Sequence, residues 1–250
     1  MTIDTETYLT PRRPALDRAI AMRLAADEYT RFLHELRRLS PGDWARPTDC
    51  PGWDVRAMAG HVVGMAEMAA SMRETMRQMA AAKKRGGVLV DALTALQVEK
   101  EAHLGTAELI ELFARVGPKA ARARKRTPGL VRNRTMPDKQ QVGDRSESWT
   151  VGFLSDVILT RDVWMHRIDM SRTTGTPMEL TPEHDGLIVA DVVDEWAGRH
   201  GEPFALELTG PAGGTWLGPG EPVVADALDF CRALAGRGAI DGTRDTFVPF

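Results

Sequence analysis

The stretch that decides the fold is LSPGDWARPTDCPGWDVRAMAGHVVG, residues 39–64. Ser40-Pro41-Gly42 predicts the end of one helix, because proline and glycine both interrupt a helical pattern. Asp54 stands where an N-cap belongs, and the helical spacing after it predicts a second helix from about Val55 to Ala82. The polar connection between them, with its two prolines and one glycine, therefore joins two consecutive helices.

Helical patterns dominate the rest of the first two-thirds of the chain. Apolar residues recur at helical spacing from Ala15 to Leu39, over residues 88–126 with a break near Gly105-Thr106, and from about Val151 to Arg172. Residues 127–150 are polar and rich in proline and glycine, and we interpret them as a long loop. Together these patterns predict a helical bundle.

The pattern changes after Gly175-Thr176-Pro177, which ends the last long helix. We expect a short helix from Thr181-Pro182 to about Gly198, then short strands in FALELTG (204–210) and TWLG (215–218), then one helix over VVADALDFCRALAGRG (223–238). Short strands mixed with helices predict a small α+β domain. The fold class is therefore mainly α, with a helical bundle over residues 1–178 and a small α+β domain over residues 179–250.

Composition excludes several classes of function. The chain is 43% hydrophobic and 27% charged, as in soluble globular proteins, and its net charge of −3 provides no field that attracts nucleic acid or an anionic membrane. The basic run KAARARKR (119–126) has no interleaved aromatic residues, so we interpret it as a solvated helix face. The partners we expect are small molecules, with no nucleic acid and no membrane, and the protein would be a monomer or a homodimer.

The expected location is the cytoplasm. The first residues, MTIDTETYLTPRR, do not have the basic start and apolar core of a signal peptide, and no apolar run approaches the roughly 20 residues of a membrane span. The two cysteines, Cys50 and Cys231, are far apart and form no CxxC motif. Two such thiols define no disulfide framework, which agrees with a reducing compartment.

Asp162 and His166 are the first candidate metal ligands. They stand four residues apart in TRDVWMHRIDMSR (160–172), so they share one helix face and suit a single ion. Asp169 lies three residues further along the same stripe. The alternative is an exposed Asp–His pair that stabilises the helix by roughly 0.2–0.5 kcal/mol.

His61 is the third candidate ligand. Its neighbours in the helix are almost all small or apolar, so its imidazole needs a partner, since an unpaired buried polar group is costly. That partner is either a metal ion or a carboxylate on another helix, and Gly60 and Gly64 would let another backbone or a ligand come close. Together with Asp162 and His166 it would make a three-ligand site. Such a site keeps coordination positions open, as catalytic metal sites do.

The stretch quoted first resembles the mycothiol-dependent maleylpyruvate isomerase family. That family has a tryptophan, then a Pro-Thr-x-Cys-Pro-Gly-Trp run, then a histidine, and the matching residues are Trp44, Pro47, Thr48, Cys50, Pro51, Gly52, Trp53 and His61. RDVWMHRIDMSRTTG (161–175) resembles the family's later helix, which carries an acid and a histidine four apart. FCRALAGR (230–237) resembles the end of its C-terminal domain.

This resemblance implies a DinB-like four-helix bundle followed by a sterol carrier-like domain. It also implies one divalent metal, usually zinc, held by His61, Asp162 and His166, with mycothiol or a similar small thiol as cosubstrate. The implied activity is isomerisation of a small electrophilic substrate or transfer of the thiol to it. The family's acid is commonly glutamate, so the shorter Asp162 leaves the choice of metal open.

Two further residues have candidate catalytic roles. We expect Asp169 to orient His166 by accepting a hydrogen bond from its ring, and a salt bridge to Arg172 or Arg161 is the alternative. The resemblance implies that an arginine of the C-terminal domain binds an anionic substrate, and Arg237 is the nearest candidate. The alternative for Arg237 is a simple cation at a helix C-terminus.

Two other functions remain open at this point. A binding or regulatory protein would keep the bundle and the metal without turnover, and its sterol carrier-like end would hold an apolar ligand. A metal-dependent hydrolase would use water at the open coordination position.

Overall fold

The computed structural model describes residues 10–220 and 222–250, which form two compact units. The helical unit comprises Arg18–Pro128 and Asp162–Met178, and the mixed unit comprises residues 10–17, Gly129–Arg161 and Glu179–Phe250. The domain limits expected from the sequence, residues 1–178 and 179–250, stay a prediction, and residues 10–17 and 129–161 lie in the mixed unit.

Long helices make up the helical unit. They are α1 (Arg18–Arg38), α2 (Val55–Ala70), α3 (Met72–Arg85), α4 (Leu89–Glu101), α5 (Thr106–Arg126) and the larger part of α8 (Leu159–Thr174). The predicted fold class, mainly α with a small α+β part, is confirmed.

Side-chain caps set the limits of α2 and α3. The Asp54 carboxylate accepts a hydrogen bond from the backbone N–H of Ala57 at 2.7 Å, so α2 begins where the sequence predicts. The prediction of one helix up to Ala82 is wrong, because Ser71 is extended, with φ −147° and ψ 116°, and caps α3. A serine hydroxyl offers the backbone a local alternative to the helix ladder.

The core of the helical unit lies between α1, α2, α5 and α8. Its buried side chains include Phe32, Leu36, Met58, Val62, Phe113 and Val163. On another side of α2, Gly64 makes room for α4, because a Cβ at this position would lie only 2.7 Å from the Cβ of Gln97. At Gly60 the same construction gives an ordinary 3.4 Å contact with Glu101. The expected close approach of another helix is therefore found, and Gly64 is the residue that requires it.

A buried ion cluster joins α8 to α1. The Arg167 guanidinium donates to Glu28 at 3.0 Å and to Glu35 at 2.7 and 2.9 Å, and all three side chains are buried. Burial raises the pKa of Glu35 above its ordinary value although Arg167 opposes this. Removing one partner of such a cluster leaves an uncompensated buried charge. The cluster therefore holds α8, which carries Asp162 and His166, against α1.

The mixed unit holds short helices and two small sheets. Its helices are α6 (Gly129–Arg132), α7 (Val151–Phe153), α9 (Leu187–His200) and α10 (Ala227–Leu234), and π-helical turns cover Leu154–Ile158 and Pro182–Gly186. Its strands are β1 (Gln140–Val142), β2 (Arg145–Glu147), β3 (Ala205–Thr209), β4 (Gly214–Trp216) and β5 (Pro222–Asp226). β1 and β2 form an antiparallel hairpin, and the second sheet has the order β4-β3-β5.

Two predictions in the mixed unit are wrong. The stretch interpreted as a loop, residues 127–150, contains α6 and the β1–β2 hairpin. The helix predicted over 223–238 begins only at Ala227, because the residues before it form β5, which pairs in parallel with β3. Asp226 marks the change, since its carboxylate accepts hydrogen bonds from the backbone N–H groups of Leu228 and Asp229.

Across residues 10–220 and 222–250, none of the helices combines the length and the apolar character needed to cross a membrane. The expectation about a signal peptide falls largely on residues 1–9, which lie outside the described residues.

Candidate metal centre

The structure brings His61, Asp162 and His166 together within the helical unit. His61 lies on α2, and the other two lie one turn apart on α8. Asp162 Oδ1 is 3.5 Å from His61 Nε2 and 3.6 Å from His166 Nε2, so one carboxylate oxygen faces both imidazoles. The two imidazole rings stand edge to face, with centroids 5.3 Å apart. These three donor atoms all lie within 4.8 Å of one another.

The donor set fits a divalent metal ion. Tetrahedral ligands with bonds of 2.0–2.1 Å to zinc are separated by about 3.3 Å, close to the two nitrogen–oxygen distances found here. His61 and His166 are buried, whereas the Asp162 side chain is 18% exposed. The set is two imidazoles, which bind a metal in their neutral form, plus one carboxylate, and it suits zinc and other first-row divalent ions.

His166 is held from its other side by Asp169. The distance from His166 Nδ1 to Asp169 Oδ2 is 3.4 Å, and Asp169 is fully buried. Burial lowers the pKa of His166, but the charge of Asp162 and the hydrogen bond to Asp169 raise that pKa to about 10. Two carboxylates therefore flank this imidazole and favour a positive charge beside them, which a bound divalent cation would supply while the ring itself stays neutral.

Asp169 stands where an orienting partner of His166 is expected, although its role stays a prediction. Of the two arginines considered as alternative partners of Asp169, Arg161 lies in the mixed unit and pairs with Asp191 and Glu195, each at 2.6 Å.

Cys50 is a neighbour of the centre that sequence reasoning missed. Its Sγ lies 3.7 Å from Asp169 Oδ2 and 3.9 Å from His166 Nδ1. The sequence shows no CxxC motif around this thiol, and 116 residues separate it from His166. Cys50 belongs to the motif that precedes His61, but the sequence does not show that this segment packs against α8.

Trp53 and Gln97 complete the surroundings of His61. The indole ring of Trp53 lies 5.2 Å from the His61 ring and 6.2 Å from that of His166, measured between centroids. Gln97, on α4, is fully buried and its Oε1 lies 2.8 Å from His61 Nδ1. No motif marks Gln97 in the sequence, so its place beside His61 was not predicted.

Arg237 lies in the mixed unit, just after α10, and is half-buried. Its backbone N–H donates to the carbonyl of Arg232 at 2.8 Å, and the Arg232 guanidinium donates back to the carbonyl of Arg237 at 3.1 Å. The role of Arg237 toward a substrate stays a prediction.

Two helices of the bundle bring two imidazoles and one carboxylate close together. The protein is therefore a helical-bundle protein with a candidate site for one divalent cation. The family model described as the mycothiol maleylpyruvate isomerase N-terminal domain matches residues 25–171, more than half of the chain. The chain belongs to this family.

Curated relatives and solved structures are also similar to this chain. Uncharacterized proteins from two strains of Mycobacterium tuberculosis are each 28% identical over 220 residues, which cover 80% of this chain and 79% of theirs. The crystal structures of the mycothiol-dependent maleylpyruvate isomerase and of a histidine-to-alanine mutant superpose with a TM-score of 0.57. Their identity to this chain is 16%, with 89% of this chain and 90% of theirs covered, so they establish the fold.

Proposed function

We propose that the protein is a metal-dependent enzyme of the maleylpyruvate isomerase type, with mycothiol or a similar small thiol as cosubstrate. It acts on a small electrophilic substrate by isomerisation or by thiol transfer. This proposal depends on one observation: His61 Nε2, His166 Nε2 and Asp162 Oδ1 all lie within 4.8 Å of one another. The family, whose description names mycothiol, supports the thiol.

The three side chains have distinct tasks in this proposal. His61 and His166 each present a neutral ring nitrogen, and Asp162 supplies the negative charge that favours a divalent cation over water. Three protein ligands leave room for an exogenous one. A divalent metal bound there lowers the pKa of a coordinated thiol, so that the thiolate is available at neutral pH.

Asp169 keeps His166 in the form that the proposal needs. A hydrogen bond from His166 Nδ1–H to Asp169 Oδ2 leaves the lone pair of Nε2 directed to the side of Asp162. Since Asp169 is fully buried, it has little freedom to turn away from the ring. Arg237 is proposed to bind a carboxylate of the substrate, which a planar guanidinium does in a bidentate manner.

The first test is the metal content of the purified protein. We expect close to one zinc or other divalent ion per chain in the wild type, and loss of that ion in His61→Ala and in His166→Ala, because two remaining ligands hold zinc poorly. His34→Ala is the matched control, since His34 is an exposed histidine on α1. Full occupancy in both site variants would disprove the metal centre.

The thiol is tested separately on the metal-loaded protein. Calorimetric titration with mycothiol is expected to show saturable binding that disappears in His61→Ala. Cobalt substitution adds a direct signal, because a thiolate ligand gives an intense charge-transfer band. If neither mycothiol nor another small thiol binds, the isomerase-type proposal fails, and activated water or a purely binding role would be the better account of the site.

A further inference from the structure

A chain of buried amides runs from His61 to the backbone of its own helix. His61 Nδ1 lies 2.8 Å from Gln97 Oε1, Gln97 Nε2 lies 2.9 Å from Gln78 Oε1, and Gln78 Nε2 lies 3.0 Å from the carbonyl oxygen of Gly64. Both glutamine side chains belong to residues that are fully buried. Three helices therefore contribute to one hydrogen-bonded chain that ends on a metal-ligand candidate.

Gln78, at the end of the chain away from His61, fixes the direction of each hydrogen bond. Gln78 Nε2 faces two oxygen acceptors, the carbonyl of Gly64 and the carboxylate of Glu74 at 2.9 Å. Reversing this amide would place its oxygen against both acceptors, which is costly in a buried site. Gln78 Oε1 must then accept from Gln97 Nε2, and this leaves Gln97 Oε1 facing His61.

An amide oxygen only accepts, so His61 Nδ1 must carry the proton. In a neutral imidazole the lone pair then resides on Nε2, the atom that lies 3.5 Å from Asp162 Oδ1. The other tautomer would carry its hydrogen on Nε2 and would offer no lone pair there.

We propose that Gln97 and Gln78 are positioning residues that hold His61 in the Nδ1–H tautomer, so that its Nε2 is ready to bind a metal. This inference rests on the proposed function only in taking His61 as a ligand. The inference also gives Gly64 two roles. Its missing side chain lets Gln97 come within reach of His61, and its carbonyl anchors the far end of the amide chain.

The test compares Gln97→Met with Gln97→Glu. Methionine keeps the length of the side chain but accepts no strong hydrogen bond. Glutamate keeps an oxygen opposite His61 Nδ1, and its protonated form also donates to Gln78 Oε1. Removing such an outer partner of a metal-binding histidine typically lowers metal affinity by about 10- to 100-fold. We expect a loss of this size in Gln97→Met and an affinity close to that of the wild type in Gln97→Glu.

The tautomer is read directly in the metal-free protein. Nitrogen-15 NMR of the His61 ring should show the Nδ1–H form in the wild type and in Gln97→Glu, and a mixture or the Nε2–H form in Gln97→Met. Gln78→Met should also give a mixture, because it frees Gln97 to reverse, and it serves if Gln97→Met does not fold. Gln141→Met, at an exposed glutamine in the mixed unit, is the control for the substitution itself.

The outcomes separate this inference from the proposed function. If the tautomer changes in Gln97→Met while the wild type binds no metal, the positioning role stands and the proposed function fails. If both the Nδ1–H tautomer and the metal affinity persist in Gln97→Met and in Gln78→Met, the positioning role is overturned whatever the protein's activity.

Discussion

Asp169 lies behind the candidate centre, fully buried, with its Oδ2 3.4 Å from His166 Nδ1. We predict that Asp169→Asn lowers zinc affinity by about 10- to 100-fold, the usual effect of removing a carboxylate that orients a metal-binding histidine. The substitution keeps the size of the side chain but removes its charge. Competition with a chromophoric chelator measures the affinity.

The control for Asp169→Asn is Asp49→Asn, an exposed aspartate in the same connection as Cys50. Thermal unfolding distinguishes an orienting role from a purely structural one. A lowered melting temperature with unchanged zinc affinity would show that Asp169 supports the fold and does not orient His166.

At the scale of single residues, the sequence indicates the candidate ligands better than the residues that contact them. His61, Asp162 and His166 were selected by spacing, by an apolar setting and by a motif, all of which are local properties. Gln97 carries no such signal, because its importance depends on which helix packs against Gly64. A contact of this kind is long-range, and a single sequence does not display it.

At the scale of elements, the two glycines of α2 allow a matched experiment. We predict that Gly64→Ala destabilises the protein by about 1–3 kcal/mol, since the new Cβ would lie 2.7 Å from Gln97 Cβ and force α4 outward. Gly60→Ala places its Cβ 3.4 Å from Glu101, so it should be neutral or stabilising by up to about 1 kcal/mol through helix propensity.

Chemical denaturation of the two variants measures both effects. The same substitution in the same helix, four residues apart, is therefore expected to destabilise the protein at Gly64 and not at Gly60. Equal destabilisation would mean that the helix itself, and not the packing of α4, responds to these changes.

Elements were predicted well where their limits depend on local chemistry. Asp54 predicted the start of α2 because a cap is a contact over three residues. Ser71 interrupts a pattern that otherwise continues in helical register, so the break was missed. The strand β5 was missed because its valines are followed by a helical pattern, and only pairing with β3 makes them a strand.

At the scale of the whole molecule, distant parts of the chain meet in a network of charges within the mixed unit. Glu147 on β2 accepts from Arg12 near the N-terminus at 2.7 Å and from Arg199 on α9 at 2.5 Å. Arg199 also forms a salt bridge with Glu195, and Glu195 forms a second salt bridge with Arg161. No local pattern in the sequence relates residues 12, 147 and 199, so a single sequence does not display a network of this kind.

Glu147 provides the test of this network through pH. Burial raises the pKa of Glu147, but Arg199 and Arg12 outweigh that effect and lower the pKa below its ordinary value of 4.5. Because the unfolded chain binds the proton more readily, this carboxylate stabilises the fold fully above pH 4.5. The contribution is lost as the pH falls through the lower folded-state pKa.

We predict that Glu147→Gln lowers the free energy of unfolding by roughly 1–3 kcal/mol at pH 7, because Arg12 and Arg199 then lose the carboxylate that balances their charge.

The difference in melting temperature between Glu147→Gln and the wild type should therefore be largest near neutral pH and shrink on acidification below pH 4.5. Circular dichroism melts across this pH range measure it. Asp144→Asn is the matched control from the same hairpin, because the Asp144 side chain is 92% exposed and should contribute little at any pH. A difference that persists unchanged into acid would mean that Glu147 acts through packing and not through its charge.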